Sequence, residues 1–201
     1  MFDNENLIPM DVKPINLFKN WFDIASKSEP NDPNAMTLST VSKDNKPSSR
    51  IVLLKSYDED GFVFYTNSNS KKGKAISNNS FVSLNFFWKT QKRQVRIDGK
   101  AELINSKKSD EYFFSRPLES KIGSWASDQS EILLDRSILE KKIEEVKKKF
   151  ANSSIPRPSY WNGYLVTPSL IEFWKQMPHR LHDRVVFKST NKGWESKRLF
   201  P

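Results

Sequence analysis

Residues 81–103 read FVSLNFFW, then KTQK, then RQVRIDGKAEL: two runs rich in apolar residues, joined by four polar ones. In the first run Val82, Leu84, Phe86 and Trp88 fall on one side, with Ser83 and Asn85 on the other. In the second, Val95, Ile97, Gly99, Ala101 and Leu103 oppose Gln94, Arg96, Asp98, Lys100 and Glu102. Successive side chains of a strand point to opposite faces, so a period of two marks strands with one face on a core. The same texture recurs outward, at Ala35–Val41, 50–55 and 62–66 before this pair and at 163–167, 170–174, 184–188 and 194–199 after it. Turn-forming runs such as Lys43-Asp44-Asn45-Lys46-Pro47 and Asp58-Glu59-Asp60-Gly61 separate them. About nine short strands in a meander, with two or three helices, predict a mainly β fold, an antiparallel β-barrel with peripheral helices.

Helical spacing is confined to a few places. Leu17, Trp21 and Ile24 predict a short first helix that Pro30 and Pro33 end. Ser106 reads as the N-cap of a second, with Asp110 and Glu111 in its early turns and Pro117 stopping it after Arg116. Leu139, Ile143, Val146 and Phe150 line one side of a third, opposite a lysine- and glutamate-rich face that reads as solvated. The first thirteen residues are polar and without period, which reads as a loose arm. The predicted organisation is an N-terminal arm and short helix over residues 1–30, followed by one barrel domain over 31–201.

Composition narrows the function. Six Trp, five Tyr and fourteen Phe among 201 residues exclude a disordered chain. With no cysteine there are no disulfides, thiolate metal sites or cysteine nucleophiles. The glycines at positions 61, 73, 99, 123, 163 and 193 stand alone, so neither a dinucleotide-binding G-x-G-x-x-G nor a P-loop can be written. No apolar run is long enough to span a membrane and no basic leader opens the chain, so a cytoplasmic location without a membrane partner is expected. Against this stands the charge: 33 Lys plus Arg against 24 Asp plus Glu, a net +9. Such an excess suits nucleic acid, an anionic membrane or phosphorylated small molecules.

Position points to the third class. Arg50 and Lys55 bound an apolar strand and could both turn toward one ligand at its end. Tyr65-Thr66-Asn67-Ser68-Asn69-Ser70-Lys71-Lys72 offers hydroxyls, amides and two ammonium groups, a donor set for a phosphate dianion where no glycine loop exists. Tyr112 and Arg116, four apart on a helix, with Ser120 just beyond, form a second such set. The strongest local signal is IEFWKQMPHRLHDR, residues 171–184, where both histidines of the chain, His179 and His182, alternate with Arg180 and Arg184. Asp183 is the only carboxylate inside that cluster and is flanked by His182 and Arg184, so an anionic ligand fits it better than a metal, and no metal is expected.

With these motifs in order, RIVLLK (50–55), FYTN (64–67), SKK (70–72), RQV (93–95), YFFSRP (112–117), IGSWAS (122–127), Gln129-Ser130 and IEFW…RLHDR (171–184), the sequence resembles the pyridoxamine 5′-phosphate oxidase family. The resemblance runs from about residue 32 to the C-terminus. It implies an FMN-binding split barrel, a homodimer with FMN between subunits, that uses O2 to oxidise pyridoxamine or pyridoxine 5′-phosphate to pyridoxal 5′-phosphate. It further implies FMN contacts from Arg50, Ile51, Val52, Leu53, Leu54, Lys55, Tyr65, Thr66, Lys71, Lys72, Gln94, Gln129, Ser130, Trp174 and Arg184. Substrate contacts would come from Lys55, Tyr112, Arg116, Ser120, Arg180 and His182, the last two also serving catalysis.

Lys71 stands where the family usually has Arg, Lys175 where Gln is usual, and a basic, aromatic N-terminal arm is not recognisable. Two other readings are a different FMN-binding split barrel and a nucleic-acid-binding barrel. The first has no reason to pair Tyr112, Arg116 and Ser120 with RLHDR, and the second calls for cations spread across a sheet face with interleaved aromatics. Removing the seven basic residues assigned to phosphorylated ligands from 33 leaves 26 against 24 acids, so the surface expected around the pocket is nearly neutral.

Overall fold

The structure is a computed structural model that describes residues 6–201. Nine strands make one antiparallel sheet: β1 Ala35–Val41, β2 Pro47–Leu53, β3 Ser56–Asp58, β4 Gly61–Asn67, β5 Phe81–Trp88, β6 Arg93–Leu103, β7 Trp161–Lys175, β8 Asp183–Thr190 and β9 Gly193–Leu199. The order is β2-β1-β5-β6-β7-β4-β3, with β8 also on β7 and β9 on β8.

That order forces closure. Strands β2 and β3 lie at opposite ends of the seven-strand path, yet only Leu54 and Lys55 separate them in the chain. Six steps across a flat sheet would span roughly 29 Å, at about 4.8 Å per step. Two residues bridge at most about 10 Å between flanking Cα atoms. The sheet therefore curls until its edges meet, and the seam is tied by Lys55 N–H to the Val63 carbonyl (2.8 Å) and Leu54 N–H to that of Asn34 (2.8 Å).

The inward faces follow the period of two. Val82, Leu84, Phe86 and Trp88 of β5 and Val95, Ile97 and Ala101 of β6 are buried, as expected, whereas Leu103 emerges at the strand end. Helix α1, Pro14–Ser28, plugs the barrel with Leu17, Phe18, Trp21 and Ala25. Phe18 is fully buried and meets Tyr57, Phe62 and Phe86 edge-on at centroid distances of 4.9, 4.9 and 5.3 Å. A second, smaller core joins α3 Ser106–Ser115, α4 Leu118–Ala126 and α5 Arg136–Lys149 to Trp161 at the head of β7.

Several local expectations change. Strand 50–55 is shifted: it starts at Pro47 and ends at Leu53, because Leu54 and Lys55 cross the seam. Segments 163–167 and 170–174 are one strand, β7, which absorbs Pro168 at a register shift opposite Asp98 and Gly99. A Cβ at Gly99 would collide with the Thr167 carbonyl oxygen there. Helix α1 turns Phe18 inward and leaves Ile24 substantially exposed. Asn105, not Ser106, caps α3, its side chain accepting the Lys107 N–H at 2.8 Å. Five α-helices form among the described residues rather than two or three; the additional α2 Lys71–Asn78 and α4 are only eight and nine residues long, and α2 opens on two lysines and a glycine.

The N-terminal arm, as far as it lies within the described residues, is docked rather than loose. Ile8 is buried; its N–H donates to Asp183 Oδ2 (2.6 Å) and its carbonyl accepts from Arg198 (2.9 Å). Residues 1–5 of that arm lie outside the described residues.

Phe18→Ala, which empties the contact point of helix and barrel, is expected to lower the unfolding free energy by about 3–5 kcal/mol in denaturant titration. A loss below about 1 kcal/mol would place the core elsewhere.

Candidate functional site

The seam that closes the barrel also opens a cavity of about 610 Å³. One wall is β2, with Ile51, Val52 and Leu53, and the linking Lys55; the opposite wall is β4, with Tyr65, Thr66 and Asn67. Helices α2, α3 and α4 and the loop after them add Lys72, Tyr112, Arg116, Ser120, Ser124 and Gln129, and Trp161 closes one side. The three lining cations, Lys55, Lys72 and Arg116, meet no carboxylate among the described residues.

Their neighbours hold them in place. Lys72 donates to Gln129 Oε1 (2.7 Å) and Ser70 Oγ (3.3 Å), and Thr66 donates to the same Gln129 oxygen (3.2 Å). Burial, and then the nearby Arg50 charge, lower the Lys72 pKa. Arg116 donates to Ser124 Oγ (2.7 Å) and lies over the Trp161 ring, 4.5 Å from its centroid; burial lowers its pKa as well. Tyr65, Tyr112 and Trp161 form a near-parallel cluster with centroids 4.2, 5.1 and 6.1 Å apart, and burial followed by the Tyr112 and Glu111 charges raises the Tyr65 pKa, so its hydroxyl stays protonated and able to donate. The result is a cationic mouth with a flat aromatic wall, a surface matched to phosphate groups and planar rings.

Arg50 departs from the expected common ligand. Its guanidinium turns along the sheet to Leu38 O (3.0 Å), Thr40 Oγ1 (2.8 Å) and Ser48 Oγ (2.5 Å), and it reaches the cavity only through its field on Lys72. Leu54 is buried in the core, Lys71 is exposed at the start of α2, and Ser130 lies in the loop beside the cavity with a left-handed backbone (φ 80°).

A second group gathers at the far end of the barrel, and none of it lines the cavity. Gln94 on β6 is the register partner of Trp174 on β7, which in turn pairs with Arg184 on β8. The His182 ring lies 4.6 Å from the Trp174 ring, and its Nδ1 accepts the Met177 N–H (3.2 Å), which leaves Nε2 without a partner among the described residues. Arg180 is exposed, and it and His179 are consecutive left-handed residues (φ 61° and 56°) in a turn without glycine. Such backbone costs energy and persists where the surroundings over-determine it.

Sequence reading left Glu172 and Trp161 without a role. Glu172, 4% exposed, accepts from Arg184 Nε (2.8 Å) and Arg96 Nη2 (2.8 Å), so one buried carboxylate fixes a guanidinium on each neighbouring strand. Burial alone would raise its pKa, but the Arg184 and Arg96 hydrogen bonds and charges outweigh it and hold the carboxyl below its ordinary value. The available signal was a lone acid between Ile171 and Phe173 in an otherwise apolar run, where a buried carboxylate without a partner is untenable. Trp161 follows the turn at Pro158 and carried no periodic signal of its own.

The chain matches two family models: "Pyridoxamine 5′-phosphate oxidase" over residues 22–150, and "Pyridoxine 5′-phosphate oxidase C-terminal dimerisation region" over 161–201. It is 52% identical to the pyridoxine/pyridoxamine 5′-phosphate oxidase of Caulobacter vibrioides, over 94% of this chain and 85% of that one. It is 47% identical to the enzyme of the same name from Gluconobacter oxydans, over 97% and 98%. Among solved structures, PhzG from Burkholderia lata, in complex with tetrahydrophenazine-1-carboxylic acid, superposes with a TM-score of 0.90 at 30% identity, covering 100% of this chain and 98% of that one. A pyridoxamine 5′-phosphate oxidase-related, FMN-binding protein from Nostoc punctiforme shares the fold, with a TM-score of 0.75 at 15% identity over 96% and 100%.

Removing the Glu172 charge in Glu172→Gln is expected to cost about 3 kcal/mol at neutral pH, because Arg184 loses its carboxylate and Arg96 keeps only Asp98. The folded pKa is depressed, so this stabilisation is present above the unfolded carboxyl pKa, about 4.3, and lost as pH falls through the lower folded value. Denaturant titration of both proteins from pH 7 to 3 should show the gap closing below about pH 4, and a gap constant across that range would contradict the charge network.

Proposed function

The chain belongs to the pyridoxamine 5′-phosphate oxidase family, and from that premise we propose that it is an FMN-dependent oxidase converting pyridoxine and pyridoxamine 5′-phosphates to pyridoxal 5′-phosphate. The observation that carries this reading is the seam cavity, where cations without acid partners adjoin a wall of stacked aromatic rings. Its donor set fits two phosphorylated, planar ligands. Lys72, Thr66, Gln129 and Ser130 would hold the FMN phosphate and ribityl chain, joined by Lys71 from the start of α2 and by Arg50 on exchanging its sheet partners for the phosphate; Ile51, Val52, Leu53 and Tyr65 would bound its body, with Leu54 backing them from the core. Lys55, Tyr112, Arg116 and Ser120 would hold the substrate phosphate.

FMN, held by these residues, would supply the two-electron acceptor for the substrate's C4′–H hydride, with O2 as the final oxidant reduced to H2O2. The alcohol yields the aldehyde directly, while the amine yields an imine that water hydrolyses to aldehyde and ammonia. The protein's task is positioning and charge. Arg116, braced by Ser124 and Trp161, anchors the phosphate so that the ring is presented in one orientation. Arg180 and Nε2 of His182 would meet the pyridine ring and its oxygen.

Those last two residues imply a second copy of the chain. Trp161 lines the cavity and Trp174 belongs to the other group, and roughly 40 Å of strand contour lies between them along β7, at about 3.3 Å per residue. We assign Gln94, Trp174, Arg180, His182 and Arg184 to the cavity of the partner in a homodimer, in keeping with the dimerisation region named for residues 161–201. No helix among the described residues is long and apolar enough to cross a membrane.

Purified protein is expected to be yellow with bound FMN and to form aldehyde from pyridoxine 5′-phosphate; colourless protein, or flavin loading without turnover, would overturn the reading. Arg116→Ala should raise KM for the phosphorylated substrate by about one to two orders of magnitude, the range set by losing one charge-assisted phosphate contact, with FMN still bound. Arg180→Ala should instead slow single-turnover flavin bleaching while FMN stays bound, and unchanged bleaching would remove Arg180 from the site.

A further inference from the structure

A second cavity, of about 410 Å³, lies between the docked N-terminal segment, α1 and the ends of β6 and β7. Its charged side is a single rung of the sheet: Arg93 and Lys175 are register partners on adjacent strands and both line it. The Arg93 guanidinium sits over the Trp21 ring, 4.6 Å from its centroid. Its Nη1 is the one buried side-chain polar atom without a hydrogen-bond partner among the described residues. Lys175 Nζ has a single partner, the Asn6 carbonyl oxygen at 2.7 Å.

No carboxylate lines this cavity among the described residues. The acid paired in register with Lys175, Asp183, is already engaged by the Ile8 N–H and Arg198. Two cations side by side, without a counter-charge among the described residues, repel each other, and burial of Arg93 adds a desolvation cost that a bound anion would offset. The rest of the lining is mixed: Leu7, Ile8, Val12 and Leu17 supply apolar surface, and Asn6, Asn16 and Asn20 supply neutral amides.

We propose that this cavity binds a small organic anion, a flat apolar body carrying one carboxylate or phosphate, with the charged end on Arg93 and Lys175. The site is separate from the seam cavity, with which it shares no lining residue. Strand alternation sets it on the opposite side of the sheet from Gln94 and Trp174, the next residue along β6 and the preceding one along β7. The proposal stands whether or not those two residues contact a flavin.

Titration calorimetry of the full-length protein as purified, with benzoate as the probe, tests it. Benzoate should bind once per chain, and benzamide, the same shape without the charge, at least about tenfold more weakly. Lys175→Gln should weaken benzoate about three- to tenfold, and Val12→Trp, which fills the cavity from its rim, should abolish binding at an unchanged melting temperature. Lys55→Met, in the seam cavity, should leave benzoate affinity unaltered. Replacing benzoate with inorganic phosphate separates charge from shape, and weaker but Lys175-dependent binding is the expected result. No benzoate binding at about 10 mM, or binding that survives both Lys175→Gln and Val12→Trp but is lost in Lys55→Met, would overturn the proposal.

Discussion

Strands that end up at opposite edges of the sheet are joined by Leu54 and Lys55 alone, and the rest of the molecule is arranged around that short tether. Because two residues cannot cross a flat seven-strand sheet, the sheet must close, and it closes along β2 and β4, strands held together by the tether rather than by a ladder. A seam of that kind leaves room between its walls. Leu54 turns into the core and fixes the tether, while Lys55 turns into the gap with a free ammonium group. Closure and charge at the site thus come from adjacent residues.

The long strand β7 distributes the chemistry. Its head carries Trp161 into the seam cavity; its tail carries Glu172 and Trp174 to the other end of the barrel. One strand serves both because it changes neighbour partway along, from β4 to β8, while β6 stays on its other side. The change falls at the register shift where Gly99 faces Pro168, the place where a missing side chain and a missing N–H are both tolerated. At the tail, Glu172 fixes Arg184 and Arg96, so these two guanidinium groups are set by a buried carboxylate, whereas Lys55, Lys72 and Arg116 in the seam have none among the described residues.

Where a strand has one buried face, its limits could be read from the residues: β1, β5 and β6 begin and end where the alternation does. Reading failed where local pattern and tertiary demand part company. Helix α2 opens with two lysines and a glycine, and β3 is too short to show a period. The N-terminal segment is polar in sequence but held by Asp183 and Arg198, partners more than 170 residues away in the chain. At the site, Tyr112, Arg116 and Ser120 converge as their spacing suggested. Arg50 does not, because sheet carbonyl and hydroxyl groups claim its donors. Trp161 and Glu172 act through contacts with distant residues, which spacing cannot display.

In the proposed homodimer one complete site is built from the seam of one chain and the far barrel end of another. Mixing two variants tests it directly: Arg116→Ala damages the seam, Arg180→Ala the far end. Each homodimer then carries two damaged sites, whereas a mixed dimer carries one site with both lesions and one with neither. After subunit exchange at equal amounts, the account predicts recovery of about a quarter of wild-type turnover, since about half the dimers are mixed and each of those has one intact site. Turnover of the mixture no greater than the mean of the two variants measured alone, with mixed dimers verified, would contradict it.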